Sequence, residues 1–385
     1  MNTLTVEEKA TLLLNGQIEE ALKLMENDNS ADYTFVASNP PYQHSTGTPT
    51  TSGRDSNVVS VFPCFYDLVA DVGIHGSVII PGGRWMQRAK GYDSVANRIF
   101  SSAFSIDWFP HGEESSVVPL FPGVAIPDGV AVVTVNNNNE TPNHLELNGI
   151  VVNRPKNKEI LPLSRDAVNI VETIFAQGYN SVNMRRCKVN AFGLPTNWVE
   201  QNPDAVRNIH EGSGRFIRPV RAYLGNNIPG KQKRVQEYWI DGSLLDWTPE
   251  KTQLMESWKV LSSQGQISKR PATSSYRVVD NEHIVGASWL MVGTFATEDE
   301  ANNYKAYIDT DFARYLLEES RGGKSARWGV FVPDLGDYSS NNPHIRWNRP
   351  LETQLYKMFG LTQEQIATIT NTARKLTGSW RSSKR

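Results

Sequence analysis

The chain has 385 residues and a formal net charge of −2, with 39% hydrophobic and 21% charged residues. This length allows about two or three domains with ample core, and no apolar run approaches the roughly 18 residues of a membrane span. Two cysteines exclude a cysteine-only zinc site and argue against a disulfide framework, and seven histidines show no metal-ligand spacing. The N-terminus has no basic, apolar signal segment, so we expect a cytoplasmic protein with no metal site and no membrane contact.

The first 30 residues are acidic and have the pattern of a helical pair. Thr5 and Glu8 have the spacing of a capping box, and an apolar stripe follows the break at Asn15-Gly16. We therefore predict a helical N-terminal segment over residues 1–30.

An apolar run over residues 33–38 leads directly into Asn39-Pro40-Pro41-Tyr42. We predict that this run is a short buried strand, which places the tetrapeptide at a strand's carboxyl end, where open α/β sheets bind ligands. The tetrapeptide has the residue types needed to hold the exocyclic amine of adenine or cytosine, which is a poor nucleophile. The Asn39 side-chain oxygen and the Pro40 carbonyl can accept hydrogen bonds from the two N–H groups of that amine. The prolines stiffen the loop, and Tyr42 offers a face for an extruded base. The tetrapeptide alone is equally typical of an ordinary rigid turn.

The elements that follow alternate between helix and strand. A polar loop over residues 43–57 precedes a helix-like stretch from Val59 to Val69, and a strand, Ser77–Ile80, comes next. That strand runs into Pro81-Gly82-Gly83-Arg84-Trp85, and a further apolar strand leads from Gly129 to Val135. This alternation predicts an α/β fold.

In this order, the motifs resemble the adenine-specific (N6) DNA methyltransferases of restriction-modification systems, in the type II branch that includes fused, IIG-like enzymes. Residues 295–317, 330–334 and 355–362 extend the resemblance towards the C-terminus, whereas it is thin between about Asn136 and Ser257. The resemblance implies a partial doubly wound, Rossmann-like methyltransferase sheet followed by a mixed α+β DNA-recognition region. It also implies S-adenosylmethionine as the cofactor, and catalytic roles for Asn39, Pro40, Pro41 and Tyr42.

The same pattern suggests three parts of the chain. After the helical segment, residues 31–150 form the predicted catalytic half-domain, and residues 151–385 form the target-recognition and C-terminal region. The polar run over residues 153–158 is a candidate linker between the last two parts.

The half of such an enzyme that holds S-adenosylmethionine is not evident. Only about 30 residues precede the catalytic strand, too few for the βα units that carry a glycine-rich cofactor turn. The best downstream candidate is Glu211-Gly212-Ser213-Gly214, which we interpret as an isolated turn because no clear strand precedes it and no helix pattern follows it. Cofactor-binding residues are therefore left unassigned, and a separate subunit that carries this domain is one interpretation.

Clusters of basic residues in the later two-thirds of the chain, interleaved with aromatic residues, are candidates for binding double-stranded DNA. Taken singly, each cluster is more readily a solvated surface. The Arg-Trp pair after the second strand is a further candidate. The predicted DNA-binding residues are Arg84, Trp85, Arg185, Arg186, Lys231, Lys233 and Arg234. Arg215, Arg218 and Arg221 form another cluster beside Phe216 and Tyr223.

The sequence thus favours a site-specific DNA adenine-N6 methyltransferase, or its catalytic and recognition subunit, active alone or only with a partner. The alternative is a non-catalytic DNA-binding or regulatory protein derived from such an enzyme, or a restriction subunit. A nuclease centre is not indicated, because no Glu-x-Lys follows Asp334 and Asp337. We expect both aspartates on the surface after an apolar strand.

Overall fold

A computed structural model describes residues 35–40, 43–45, 58–72, 75–88, 91–109, 129–136, 144–155, 159–162, 164–224, 236–264, 274–320 and 327–382. The chain divides into two compact units, residues 1–168 and 169–385. The predicted helices over residues 1–30 lie outside the described residues, and the division of the chain into three parts stays a prediction. No helix within the described ranges has the length and apolar character needed to cross a membrane.

The first unit is built on a mixed sheet. Its strands are β1 (Phe35–Ser38), β4 (His75–Pro81), β5 (Ala103–Phe109), β6 (Val130–Asn136), β7 (His144–Leu147) and β8 (Ile150–Asn153), and a separate pair consists of β2 (Gln43–Ser45) and β3 (Val58–Ser60). The order in the larger sheet is β1-β4-β6-β5-β7-β8. The pairs β1–β4 and β5–β7 are parallel, and the others are antiparallel.

Helices in chain order are α1 (Phe62–Val72), α2 (Gly83–Met86), α3 (Asp93–Ser102), α4 (Arg165–Phe175), α5 (Trp198–Gln201), α6 (Pro249–Met255), α7 (Glu298–Ile308), α8 (Asp311–Glu319), α9 (Leu351–Met358) and α10 (Gln363–Ser382). Helix α1 connects the parallel strands β1 and β4, as a crossover between parallel strands requires. The α/β class predicted from the sequence is confirmed.

The core of the first unit lies where helices pack on the sheet. Along β4 the buried residues alternate, so that Val78 and Ile80 face the core with Phe62 and Tyr66 of α1. On the other face of the sheet, the hydroxyl groups of Ser77 and Thr134 lie 3.0 Å apart across β4 and β6. The strand predicted at Ser77–Ile80 is therefore present but longer, and only one of its faces is fully buried.

Two details of the predicted first elements are wrong. The run before Asn39 is not fully buried: Val36 is half-buried and Ala37 is exposed, because β1 lies at the edge of the described sheet. Val59, which we predicted to be helical, belongs to β3. Helix α1 begins at Phe62, with Pro63 in its first turn, a position that tolerates a missing N–H group.

The second unit contains two further sheets. Strands β9 (Val206–Asn208), β10 (Pro219–Leu224), β11 (Gln236–Asp241) and β14 (His283–Val285) form one in the order β14-β10-β11-β9. Strands β12 (Trp258–Ser263), β13 (Tyr276–Val279) and β15 (Trp289–Phe295) form the other in the order β13-β12-β15. The pair β10–β14 is parallel, and the remaining pairs are antiparallel.

Side-chain caps set the limits of the late helices. Thr297 and Glu300 form a reciprocal capping box at the start of α7. Gly360, with φ of 64°, ends the turn after α9 in the left-handed region. Thr362 and Gln365 then exchange backbone and side-chain hydrogen bonds of 3.0 and 3.2 Å at the start of α10. Helices α7 and α8 thus occupy most of the 295–317 segment of the resemblance, and α10 follows its 355–362 segment.

The apolar strand predicted over residues 330–334 is wrong. This segment is a succession of turns, and its contribution to strand pairing is one isolated bridge between Ser181 and Pro333. Gly329 precedes it with φ of 75°, and Pro333 lacks a backbone N–H group, so both residues oppose a continuous ladder.

Candidate functional site

Asn39 and Pro40 lie at the carboxyl edge of the first unit's sheet. Ser38, the last residue of β1, is paired with Val78, and β4 continues beyond this point to Pro81. Because β1 and β4 are parallel, both strands end at the same edge. Asn39 is exposed there and Pro40 is buried, so the asparagine reaches solvent from an anchored loop. Pro41 and Tyr42 lie outside the described residues.

The same edge includes the end of β4 and the adjoining strands. Pro81 and Phe109 are both in register with Val130, and the backbone N–H of Gly82 donates to the Gly129 carbonyl at 3.3 Å. The turn after β4 is closely packed: a Cβ placed on Gly82 would lie 2.1 Å from the Trp108 ring. The Trp108 ring therefore fills the space beside Gly82.

The Arg84-Trp85 pair lies on helix α2, directly after this turn. Trp85 is 1% exposed, donates from Nε1 to the Pro81 carbonyl at 2.7 Å, and packs on Phe100 at a ring-centroid distance of 5.5 Å. Arg84 is exposed. The predicted contact with DNA stays a prediction, and this burial favours Arg84 as the residue of the pair that makes it.

Sequence reasoning missed the two residues that follow. Gln87 is buried and donates to the Leu161 carbonyl at 2.7 Å. Arg88, buried and with φ of 49°, donates to the Glu159 carbonyl at 2.5 Å and to Oδ1 of Asn97 at 2.6 Å. These bonds attach the segment before α4 to the turn after α2. The sequence signal that could have indicated their burial is their position directly after Trp85 and Met86, two residues of types that are usually buried.

Arg185 is held inside the second unit. Its Nε donates to Oδ2 of Asp334 at 2.7 Å, its Nη2 donates to the Gly336 carbonyl at 2.7 Å, and its guanidinium lies 4.8 Å from the Tyr338 ring centre. Burial alone would lower the Arg185 pKa, but the hydrogen bond and charge of Asp334 outweigh it, and the pKa is raised. The predicted DNA contact of Arg185 stays a prediction that competes with this structural role.

The surface position predicted for Asp334 is wrong, because its side chain is only 14% exposed and pairs with Arg185. Asp337 is exposed, as predicted. Arg186 is half-buried, and burial lowers its pKa. The predicted DNA-binding residues Lys231, Lys233 and Arg234 lie outside the described residues.

Neither of two glycine turns, at Gly82 and at Gly212 and Gly214, has the open strand-to-helix form that would hold S-adenosylmethionine. Gly212 and Gly214 have φ of 71° and 59°, follow a short 3₁₀ turn, and lead into β10 rather than into a helix. The interpretation of this segment as a turn is confirmed, although the short strand β9 does precede it. The Gly82 turn is filled by Trp108. Within the described ranges, His, Cys, Asp and Glu residues do not group into a set that would hold a metal ion.

No protein-family model and no curated protein matches the sequence. Among solved structures, the chain is similar to the type IIL restriction-modification enzyme MmeI in complex with DNA, with a TM-score of 0.35 and 11% identity over 89% of this chain and 57% of that one. It is also similar to the ATP-dependent type ISP restriction-modification enzyme LlaBIII bound to DNA, with a TM-score of 0.27 and 10% identity over 71% of this chain and 24% of that one. The chain thus spans little more than half of MmeI, and at these TM-scores neither similarity carries an argument about function.

Proposed function

We propose that this chain is the catalytic and DNA-recognition part of a site-specific DNA adenine-N6 methyltransferase of a restriction-modification system. The observation that carries the proposal is the position of Asn39 and Pro40 directly after β1, at the carboxyl edge that β1 shares with β4. Open α/β sheets present their ligand-binding residues at this edge. The parallel pair β1–β4 with its helical crossover supports one half of a doubly wound, Rossmann-like sheet, whereas the antiparallel pairings of β6 with β4 and β5 depart from that pattern.

The chemistry assigned to these residues is the holding of an amine. The side-chain oxygen of Asn39 and the carbonyl of Pro40 accept hydrogen bonds from the exocyclic amine of an extruded adenine. Positive charge grows on that nitrogen during methylation, so these two dipoles stabilise the transition state more than the ground state. In the proposal, Tyr42 stacks on the base and offsets part of the few kcal/mol that extrusion costs. The choice of adenine over cytosine rests on the family resemblance.

The methyl donor in this proposal is S-adenosylmethionine. Because the glycine turns of the described residues do not fit this molecule, the proposal assigns it to a separate subunit that acts with the chain on double-stranded DNA. The chain then contributes the base-holding residues and the DNA-recognition surface.

Two measurements test the proposal. Calorimetric titration of the purified chain with S-adenosylmethionine should give weak binding or none. Transfer of a labelled methyl group to duplex DNA should then appear only when lysate from the source cells is added, and it should disappear when Asn39→Ala replaces the wild-type chain. This variant is the control that separates the chain's own activity from enzymes of the lysate.

Other outcomes have distinct meanings. Tight, stoichiometric binding by the isolated chain would refute the split arrangement. Binding of DNA without cofactor binding and without rescue by lysate would favour the non-catalytic DNA-binding alternative.

A further inference from the structure

Two of the exposed large apolar side chains of the second unit lie on neighbouring loops. Ile217, on the connection between β9 and β10, is 85% exposed, and Leu244, on the turn after β11, is 56% exposed. The fold buries neither side chain, so the apolar surface of both stays in contact with water. We define the arginine-isoleucine loop as residues 211–218.

Hydrogen bonds to Asp241 fix the backbone of the arginine-isoleucine loop within the chain itself. The Asp241 carboxylate accepts hydrogen bonds from the backbone N–H groups of Ile217 and Arg218, both at 3.2 Å, and from that of Ser243 at 3.0 Å. Hydrogen bonds from Ser243, followed by those from Ile217 and Arg218, lower the Asp241 pKa, so the carboxylate stays ionised and turned towards the backbone. Ile217 is thus presented by a loop whose ordering does not have to occur on binding.

Arg215 and Arg218 lie on either side of Ile217 in the sequence of the loop, and aromatic rings orient Arg218 and the nearby Arg207. The Arg218 guanidinium lies 3.8 Å from the Trp247 ring centre, and Trp247 is itself fixed by a 2.6 Å hydrogen bond from Nε1 to the Gly242 carbonyl. The Arg207 guanidinium lies 5.6 Å from the Phe216 ring centre. Stacking occupies the face of a guanidinium and leaves its N–H edge for phosphate oxygens. Arg215 is exposed and makes no ion pair with a described residue.

We propose that the arginine-isoleucine loop is a DNA wedge, in which Ile217 inserts between base steps while Arg215 and Arg218 contact the flanking phosphates. The proposal rests on the proposed function only in that the chain binds DNA. Apolar side chains flanked by basic residues are the means by which minor-groove proteins unstack and bend a duplex. The positive charges of Arg215 and Arg218 complement phosphate, and Ile217 and Leu244 together are too small to form the core of a standard protein interface.

The test uses duplex DNA of mixed sequence that carries 2-aminopurine, whose fluorescence rises when it is unstacked. Wild-type chain should raise the fluorescence severalfold, and Ile217→Ala should remove most of this rise while affinity falls by no more than about tenfold. Arg215→Gln should reduce the slope of log affinity against log salt by about one. The matched control is Met184→Ala, which removes another exposed apolar side chain of the same unit and should leave both signals unchanged.

The outcomes separate this proposal from the function on which it rests. If the wild type binds the duplex and Ile217→Ala gives the same fluorescence, the wedge is refuted while the methyltransferase proposal stands. An unchanged salt slope for Arg215→Gln likewise overturns the assigned phosphate contact. If Ile217→Ala instead abolishes self-association and leaves DNA binding intact, the loop is a protein contact. If the wild type binds no duplex, both proposals fall.

Discussion

The ring of Trp108 lies in the space that a β-carbon at Gly82 would need, at 2.1 Å from the position of that atom. Gly82 is buried and forms the turn between β4 and α2, and Trp108 is near the end of β5, two strands away in the sheet. The tryptophan therefore fixes how closely this turn approaches the sheet, and with it the position of Arg84.

Gly82→Ala should lower the free energy of unfolding by about 1 to 3 kcal/mol, the usual cost of overpacking. In urea denaturation, the double variant Gly82→Ala with Trp108→Leu should lose less stability than the two single variants added together, because the smaller side chain makes room for the methyl group. Strict additivity would show that the two residues do not compete for the same space.

Asn39→Ala should reduce methylation of duplex DNA by at least about 100-fold, because it removes an acceptor that acts mainly in the transition state. DNA affinity, measured by fluorescence anisotropy, should change by only a few fold. A loss of affinity as large as the loss of activity would make Asn39 a structural residue instead.

Arg185→Ala should destabilise the chain by about 2 to 3 kcal/mol, because it leaves the Asp334 carboxylate without its ion-pair partner and removes the contact with Tyr338. The loss is smaller than for a fully buried pair, because solvent screens this partly exposed one. Urea denaturation and DNA titration of the same variant decide between the structural role of Arg185 and its predicted contact with DNA phosphate. A reduced salt slope at unchanged stability would instead support the predicted phosphate contact.

His283 lies between two carboxylates, with Nδ1 2.5 Å from Oδ1 of Asp280 and Nε2 2.5 Å from Oε1 of Glu237. Glu237→Ala should cost about 1 to 3 kcal/mol because it leaves a polar atom of the buried imidazole unsatisfied. Glu282→Ala, which removes an exposed partner of Arg221, is the matched control and should cost less than about 1 kcal/mol. Equal losses of stability in the two variants would show that the contact between His283 and Glu237 contributes no more than the surface ion pair of Arg221 and Glu282.

Because its pKa is lowered in the folded chain, Lys259 should make the free energy of unfolding increase with pH. Burial lowers its pKa from 10.5 to about 8, although its Nζ donates to the Met255 and Ser257 carbonyls at 2.7 and 2.6 Å. Between these pKa values the unfolded chain binds more protons than the folded chain, so the contribution of Lys259 to stability should increase with pH over this window, by up to about 3 kcal/mol. Below the folded pKa the cost of the buried charge is fully present.

The measurement is the free energy of unfolding from about pH 7 to about pH 10, compared with that of Lys259→Met. The wild type should gain stability relative to this variant as the pH rises. Parallel curves for the two proteins would contradict the assignment.

Local sequence signals predicted the elements that local interactions define. The glycine stop at Gly360 and the Thr-x-x-Gln cap of Thr362 and Gln365 lie within one turn of the helix ends they determine, and the structure has both. The change from apolar residues to Asn39 and two prolines also predicted where β1 ends, which is at Ser38. These elements need no knowledge of distant residues.

Predictions failed where distant residues decide the outcome. Asp334 was expected on the surface, but its partner Arg185 lies 149 positions earlier in the chain. The burial of β1 likewise depends on its place at the edge of the described sheet. No pattern within a short window of sequence reports such contacts.

The path of β14 limits how the second unit can be recombined. This strand pairs with β10, yet in the chain it lies between β13 and β15, both of which pair with β12. After β13 the chain leaves the sheet of β12, adds β14 to the sheet of β10, and returns to the first sheet with β15. Neither sheet is therefore formed by one continuous stretch of sequence. A fragment that ends before His283 lacks the edge partner of β10. A transplant of either sheet into another protein would therefore have to move residues 206–295 as one block, with the arginine-isoleucine loop inside it.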